Sequence, residues 1–272
     1  MFVVGGQGYV GSRTAALAAE EGAETVVVSR NGDTRHGVSS LAWADFLIDM
    51  SAHPGRQISV VWILDGAKHR ELDRLKDLLS VADEATYVAA VSSCTVYGDR
   101  RGQTCDETTP LSLVTANAKL KAACEDSLKD SSVSYGVLRL GALYGVDDRG
   151  VRRDRVEKWV TEASRDGTVT VPEPSHWRGW LHRDQAARAL LRAASERIEG
   201  TFNVASSNYR LGEAATFAAT PFGAAVVSDG KDDPMDYQID SSKAVQKRLL
   251  DQLTGEDMSS TVASFVEKYM AR

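Results

Sequence analysis

The sequence predicts an α/β fold with a doubly wound parallel sheet, and three observations carry that prediction. Apolar runs of strand length alternate with helical stretches through the first half of the chain, the pattern of βαβ units. The runs are continuously apolar rather than alternating, as strands are when helices cover both faces of their sheet. Glycines at positions 5, 8 and 11 fall between the first run and the first helix, where a tight strand-to-helix turn needs them.

Phe2 to Val4 opens the sheet, followed by Thr25 to Val28, Ser59 to Leu64, Thr86 to Val91 and Ser134 to Leu138. Between them, Arg13 to Glu21 reads as a helix that stops at Gly22. Leu72 to Leu79 has apolar residues at i, i+3 and i+7, and Ala116 to Leu128 follows Thr115, a residue type that caps helices. After Gly150 the pattern is less regular. A charged helix spans Asp154 to Ser164, a proline-bracketed loop Pro172 to Trp180, an alanine-rich helix Gln185 to Ser195 and a strand Thr201 to Ala205. The tail holds a loop around Gly230 to Pro234 and a terminal helix, Thr261 to Met270.

Composition narrows the class. With 43% hydrophobic and 26% charged residues the 272-residue chain is globular, enough for one large domain or two small ones at roughly 150 residues each. Its 32 basic and 38 acidic side chains give a formal charge of −6, and no block of Lys and Arg supplies the positive face that nucleic acid or an anionic membrane requires. Three cysteines, Cys94, Cys105 and Cys124, make neither a CxxC pair nor a disulfide framework, which points to a reducing compartment and to no metal cluster. The start, Met1-Phe2-Val3-Val4, carries no basic leader, and no apolar run approaches membrane-spanning length, so a cytoplasmic, unanchored protein is expected.

Gly5-Gly6-Gln7-Gly8-Tyr9-Val10-Gly11 is the most informative segment. The first glycine allows the turn, the second lets backbone approach a pyrophosphate, and the helix beginning there offers N–H groups to an anion. Gly5, Gly8, Tyr9, Val10 and Gly11 are therefore candidate cofactor-binding residues of a Rossmann-like fold. The second strand ends Val28-Ser29-Arg30, with no carboxylate for the ribose hydroxyls of NAD. Ser29 and Arg30, with Arg35 in support, suit the 2′-phosphate of NADP instead, so NADP is the expected cofactor and NAD the alternative.

Downstream, Ser92-Ser93-Cys94-Thr95-Val96-Tyr97-Gly98 resembles the S-S-x-x-V-Y-G signature of the extended short-chain dehydrogenases, the NAD-dependent epimerase/dehydratase family. Asp106-Glu107 with Pro110, Arg139 with Tyr144-Gly145, Arg178 to Asp184, Thr201 to Val204 and Asp240 to Lys243 are similar to later elements of the same family, in the same order. The resemblance implies a cofactor-binding domain over 1–145 with a strand and helix at about 181–206. It implies a small C-terminal substrate-binding lobe from 146–180 and 207–272. It also implies a homodimer sealed by the Leu72 to Leu79 and Ala116 to Leu128 helices.

In that family a serine or threonine, a tyrosine and a lysine do the chemistry. By resemblance Ser93 is the serine and Lys119 the lysine, the latter also a cofactor contact. Four residues before Lys119, on the same helix face, stands Thr115 rather than tyrosine. A phenol titrates near pKa ~10 and an adjacent ammonium brings it toward neutrality, whereas an aliphatic hydroxyl is far less acidic. Tyr97, Tyr144, Cys94 and His182 are the candidates to replace it, Tyr97 first because it follows Ser93 closely.

Cys94, Thr95, Tyr144, Arg178 and Trp180 are candidate substrate contacts. Family members acting on nucleotide sugars use an asparagine where Ala142 stands and a second arginine that has no counterpart near Gly230-Lys231-Asp232, so a smaller, less anionic metabolite competes with a nucleotide sugar. The leading reading is an NAD(P)-dependent oxidoreductase or epimerase. A non-redox lyase, isomerase or cyclase, or a dinucleotide-binding regulatory protein without turnover, are the alternatives.

Overall fold

A computed structural model describes residues 1–30, 38–64, 70–146, 155–250 and 257–270, so Arg35 and Asp154 lie outside the described residues. Strand β1 (Phe2–Val4) leads through the glycine loop into helix α1 (Tyr9–Glu20), followed by β2 (Val26–Ser29), β3 (Ser39–Ala42) and α2 (Trp43–Ala52). Next come β4 (Ile58–Trp62), α3 (Glu71–Val81), β5 (Thr86–Ser93), β6 (Asp99–Cys105), α4 (Ala116–Lys129) and β7 (Ser134–Leu140). The second half holds β8 (Ala142–Tyr144), α5 (Arg155–Asp166), β9 (Thr168–Val171), β10 (Trp177–His182), α6 (Arg183–Glu196) and β11 (Gly200–Val204). It ends with β12 (Ser207–Arg210), α7 (Leu211–Ala219), β13 (Ala225–Ser228), β14 (Asp236–Ile239), α8 (Ser242–Gln246) and α9 (Met258–Met270).

Seven parallel strands form one sheet in the order β11-β7-β5-β4-β1-β2-β3. This is a Rossmann-like doubly wound sheet. The winding direction reverses between β1 and β4, and at such a switch the connections diverge and leave a crevice at the carboxyl ends of the strands. Buried side chains of α1 and α6, such as Leu17, Ala18, Ala186 and Leu190, cover one face. Phe46 of α2, Leu75 and Leu78 of α3 and Leu128 of α4 cover the other. Leu75 and Leu78 are fully buried, each worth about 1.5–3 kcal/mol of transfer free energy.

Three small sheets stand apart. β8, β10 and β12 form one, and with α5, α7 and α9 they enclose a separate core around Trp159, Trp180 and Leu211. β9 pairs with β13, and β6 pairs with β14 across the sequence. Residues 99–105 therefore leave the main sheet and join the later part of the chain. The proline-bracketed segment expected as a loop to Trp180 contains the start of β10. β3 was not expected, because Ser39-Ser40-Leu41-Ala42 is short and half polar, as an edge strand tolerates. Among the described residues no helix is long and apolar enough to cross a membrane.

Candidate functional site

The carboxyl ends of β1, β2, β4, β5 and β7 open into a cavity of about 730 Å³. Its base is the glycine loop. Gly5 has φ +82°, and a Cβ there would meet the Ile63 carbonyl oxygen at 2.1 Å, so only glycine makes this turn against β4. A Cβ on Gly11 would lie 2.3 Å from the Gly5 carbonyl oxygen, so α1 packs directly on the loop. Gly8 caps α1 without a side chain, and no side-chain cap competes with a ligand for the first turn of the helix. Gly5, Gly8, Tyr9 and Val10 line the cavity, whereas Gly11 sits behind it as the packing residue. The Tyr9 hydroxyl donates to the Gly145 carbonyl, and the Arg183 guanidinium lies over its ring at 5.3 Å.

Charge on the wall is one-sided. Arg30, Arg74, Lys121 and Arg155 line the cavity, and among the described residues no aspartate or glutamate does. At one end β2 delivers Ser29 and Arg30. Trp43 and Arg74 stand with them, two residues that sequence reasoning missed because neither belongs to a motif.

At the other end stand Ser92, Ser93, Asn117 and Lys121. The Ser93 Oγ accepts from the Thr95 N–H at 3.2 Å and from the Thr95 hydroxyl at 2.9 Å, which fixes its position and leaves its own O–H to donate. The Lys121 Nζ donates to Glu71 Oε1 at 2.6 Å, to the Leu64 carbonyl at 3.2 Å and to the Val91 carbonyl at 3.3 Å. Three elements thus meet on one ammonium, whose three protons are all engaged.

Lys119 and Thr115, the pair expected at this place, lie elsewhere. Lys119 is exposed and off the cavity wall. Thr115 is the N-cap of α4, its Oγ accepting from the Ala118 N–H at 3.1 Å. The reason is helical phase: two residues correspond to about 200° of rotation, so Asn117 and Lys121 face the cavity where Thr115 and Lys119 cannot. The same four-residue spacing was present in the sequence at 117 and 121, and that spacing was the signal for the pair.

The candidates to replace a tyrosine are also removed from the cavity. Tyr97 is fully buried, its hydroxyl donating to Asn203 Oδ1 at 2.7 Å and accepting from Arg139 Nη1 at 2.9 Å. Burial pushes the phenol up to about 12 against the pull of Arg139. Arg139 in turn bonds Glu125, which accepts from Ser92, so Tyr97 belongs to a buried network behind the wall. Burial likewise pushes the Cys94 thiol far up, and its Sγ–H donates to the Arg139 carbonyl at 3.1 Å. Tyr144 is buried edge-on against His182, their ring centroids 5.3 Å apart, and His182 caps α6 by accepting from the Asp184 N–H.

Of the expected substrate contacts, Cys94, Thr95, Tyr144, Arg178 and Trp180 are all off the cavity wall. Thr95 holds Ser93 from behind. Trp180 is fully buried against Trp159. Arg178 is 3% exposed, with Asp233 Oδ2 2.5 Å from its Nη2 and the Met235 carbonyl accepting from Nη1, so its charge is spent within the fold. An acid stands near where a second arginine was sought, and it neutralises the first.

The fold has solved relatives. UDP-N-acetylglucosamine 4-epimerase from Bacillus cereus superposes with a TM-score of 0.77 at 18% identity, covering 100% of this chain and 96% of its own. An NAD-dependent NDP-hexosamine 5,6-dehydratase involved in tunicamycin biosynthesis gives 0.81 at 18% identity, with 100% and 97% covered. UDP-glucose 4-epimerase from Thermus thermophilus, in complex with NAD, gives 0.76 at 19% identity, with 97% and 98% covered. These likenesses show the fold. No curated protein matches the chain in sequence. The model of the NAD dependent epimerase/dehydratase family matches residues 67–205, more than half of the chain and the stretch that carries Ser93, Asn117 and Lys121. The chain belongs to the NAD dependent epimerase/dehydratase family of enzymes.

Proposed function

We propose that the chain binds NADP in this cavity, NAD being the alternative, and acts as an oxidoreductase or epimerase on a carbohydrate-like or other small metabolite. The observation that carries the reading is the cavity itself: a side-chain-free Gly8 at an uncapped helix start, and a wall that presents Arg30, Arg74 and Arg155 besides the Glu71-paired Lys121 and, among the described residues, no carboxylate. A Cβ on Gly8 would meet the Gly5 carbonyl oxygen at 3.2 Å and no other atom within 4 Å, so the loop backbone here is open to the close approach of a phosphate. When bound, the nicotinamide supplies or accepts a hydride.

The chain's own residues then have separable tasks. Gly8, Tyr9 and Val10 hold the pyrophosphate with backbone groups. Ser93, positioned by Thr95, donates its hydroxyl to the reacting oxygen. Lys121, paired with Glu71, fixes the ends of β4 and β5 relative to α3. Asn117 donates and accepts hydrogen bonds one turn away, but an amide moves no proton near neutral pH. Ser93→Ala is expected to lower turnover by about a hundredfold, on the scale of losing one oxyanion donor, while Lys119→Ala leaves it unchanged. Equal activity of Ser93→Ala and wild type defeats this assignment.

Asn117 favours one second reading, a non-redox lyase, isomerase or cyclase on the same scaffold, in which polar groups orient the substrate and no phenol is needed. Net NADPH oxidation in step with product formation separates the two. The relatives named above act on nucleotide sugars, which makes that class the first to assay. The Arg178–Asp233 pair favours a smaller, less anionic substrate. The division into a cofactor-binding part, 1–145 with about 181–206, and a substrate lobe, 146–180 and 207–272, enters here as a proposal, with Arg155 of α5 as the lobe's residue on the cavity wall. A cytoplasmic homodimer completes the proposal, α3 and α4, which pack side by side within the chain, being the helices of its seam.

A further inference from the structure

We propose that Arg74 of α3, stacked on Trp43, is the second arm of a clamp for a phosphate monoester, Arg30 being the first. The ligand group is the 2′-phosphate of NADP, so the inference rests on the dinucleotide reading and extends it to residues that no motif includes.

The register of β2 and β3 sets Ser29 beside Ala42 in parallel strands, so the next residues, Arg30 and Trp43, leave the sheet side by side at the same end. Trp43 is held by its neighbours: Trp62 lies edge-on at 6.0 Å and Phe46 is tilted at 5.6 Å. On this anchored ring the Arg74 guanidinium sits 5.5 Å from the centroid. Stacking uses the face of a guanidinium and leaves its N–H edge for an anion. Arg30, Arg74, Trp43 and Ser29 all belong to the one cavity wall.

Neither arginine has a carboxylate partner among the described residues. Asp73, the acid on the same turn as Arg74, is taken by Arg70 at 3.0 Å. Among the described residues these two arginines have no carboxylate partner and the wall has no carboxylate, a setting poorly suited to ribose hydroxyls, which take a carboxylate acceptor. They suit a dianionic ester, which accepts several charge-assisted hydrogen bonds at once.

Titration of the intact protein with NADPH, NADH and 2′,5′-ADP, against 5′-AMP as the unphosphorylated control, tests the clamp in wild type, Arg74→Gln and Arg74→Lys. Wild type is expected to prefer NADPH and 2′,5′-ADP over their controls. Arg74→Gln should reduce that preference about tenfold or more, and Arg74→Lys should restore only part of it. A preference unchanged in Arg74→Gln overturns the role of Arg74. Equal affinity of wild type for NADPH and NADH overturns the clamp but leaves the dinucleotide reading standing. Binding of neither cofactor overturns both.

Discussion

The Lys121 ammonium lies 2.6 Å from the Glu71 carboxylate, the two side chains being 7% and 0% exposed, and its other protons go to the carbonyls of Leu64 and Val91. One buried ion pair therefore joins α3, α4 and the ends of β4 and β5 at the cavity. A buried charge that loses its partner is expensive, whereas replacing both partners with apolar groups is often close to neutral. Lys121→Met should cost about 3–5 kcal/mol in urea unfolding, and adding Glu71→Leu should recover most of that loss. Additive losses in the double variant would mean that the two residues do not act as a unit.

Asn117 stands four residues before Lys121 on the cavity side of α4. Asn117→Tyr brings a titrating phenol to that position, and general acid–base catalysis of this kind is worth roughly 10²–10⁴ in rate. The expected result is faster hydride transfer with a new ionisation in the pH profile of kcat/KM, absent from the wild type. A slower variant with no new ionisation would place Asn117 against the substrate as a binding group and favour the non-redox reading.

Tyr97 links burial to pH. Its phenol is raised from its ordinary value of 10.0 to about 12, chiefly by burial. Above pH 10 the unfolded chain releases this proton while the folded chain keeps it. The contribution is therefore complete below pH 10 and is lost as pH rises toward 12. At about 1.4 kcal/mol per pKa unit, the loss amounts to roughly 3 kcal/mol. Tyr87 and Tyr237 are raised in the same direction by burial and steepen the decline. Urea unfolding between pH 9 and 12 should show the decline, with a shallower slope in Tyr97→Phe. A slope unchanged in Tyr97→Phe would contradict its cause.

The central strands were legible because continuous apolar runs such as Val60-Val61-Trp62 admit few other placements, and the glycine loop was legible because its position between strand and helix is constrained. β6, Asp99–Cys105, was not. Its residues are mostly polar, and its partner β14 lies over a hundred residues later, beyond any local pattern. The phase of α4 was equally hidden. Lys119 and Lys121 both follow a polar residue at the fourth position before them, and only Glu71, fifty residues earlier, selects which lysine turns inward. Arg178 read as a substrate contact for the same reason, since its partner Asp233 is far away in sequence.

Nicotinamide fluorescence on titration with NADPH, comparing wild type with Gly8→Ala, reports whether the glycine cradle holds a dinucleotide. Gly8 has φ −80°, which alanine adopts readily, and the added Cβ would meet only the Gly5 carbonyl oxygen, at 3.2 Å, a contact relieved by a shift of a few tenths of an ångström, so the fold should survive while the close approach of a pyrophosphate to this backbone is obstructed. A cradle that holds the dinucleotide gives saturable binding by wild type and its loss, by about tenfold or more, in a Gly8→Ala variant of similar melting temperature. Binding that persists undiminished in Gly8→Ala, or its absence from wild type, would contradict it.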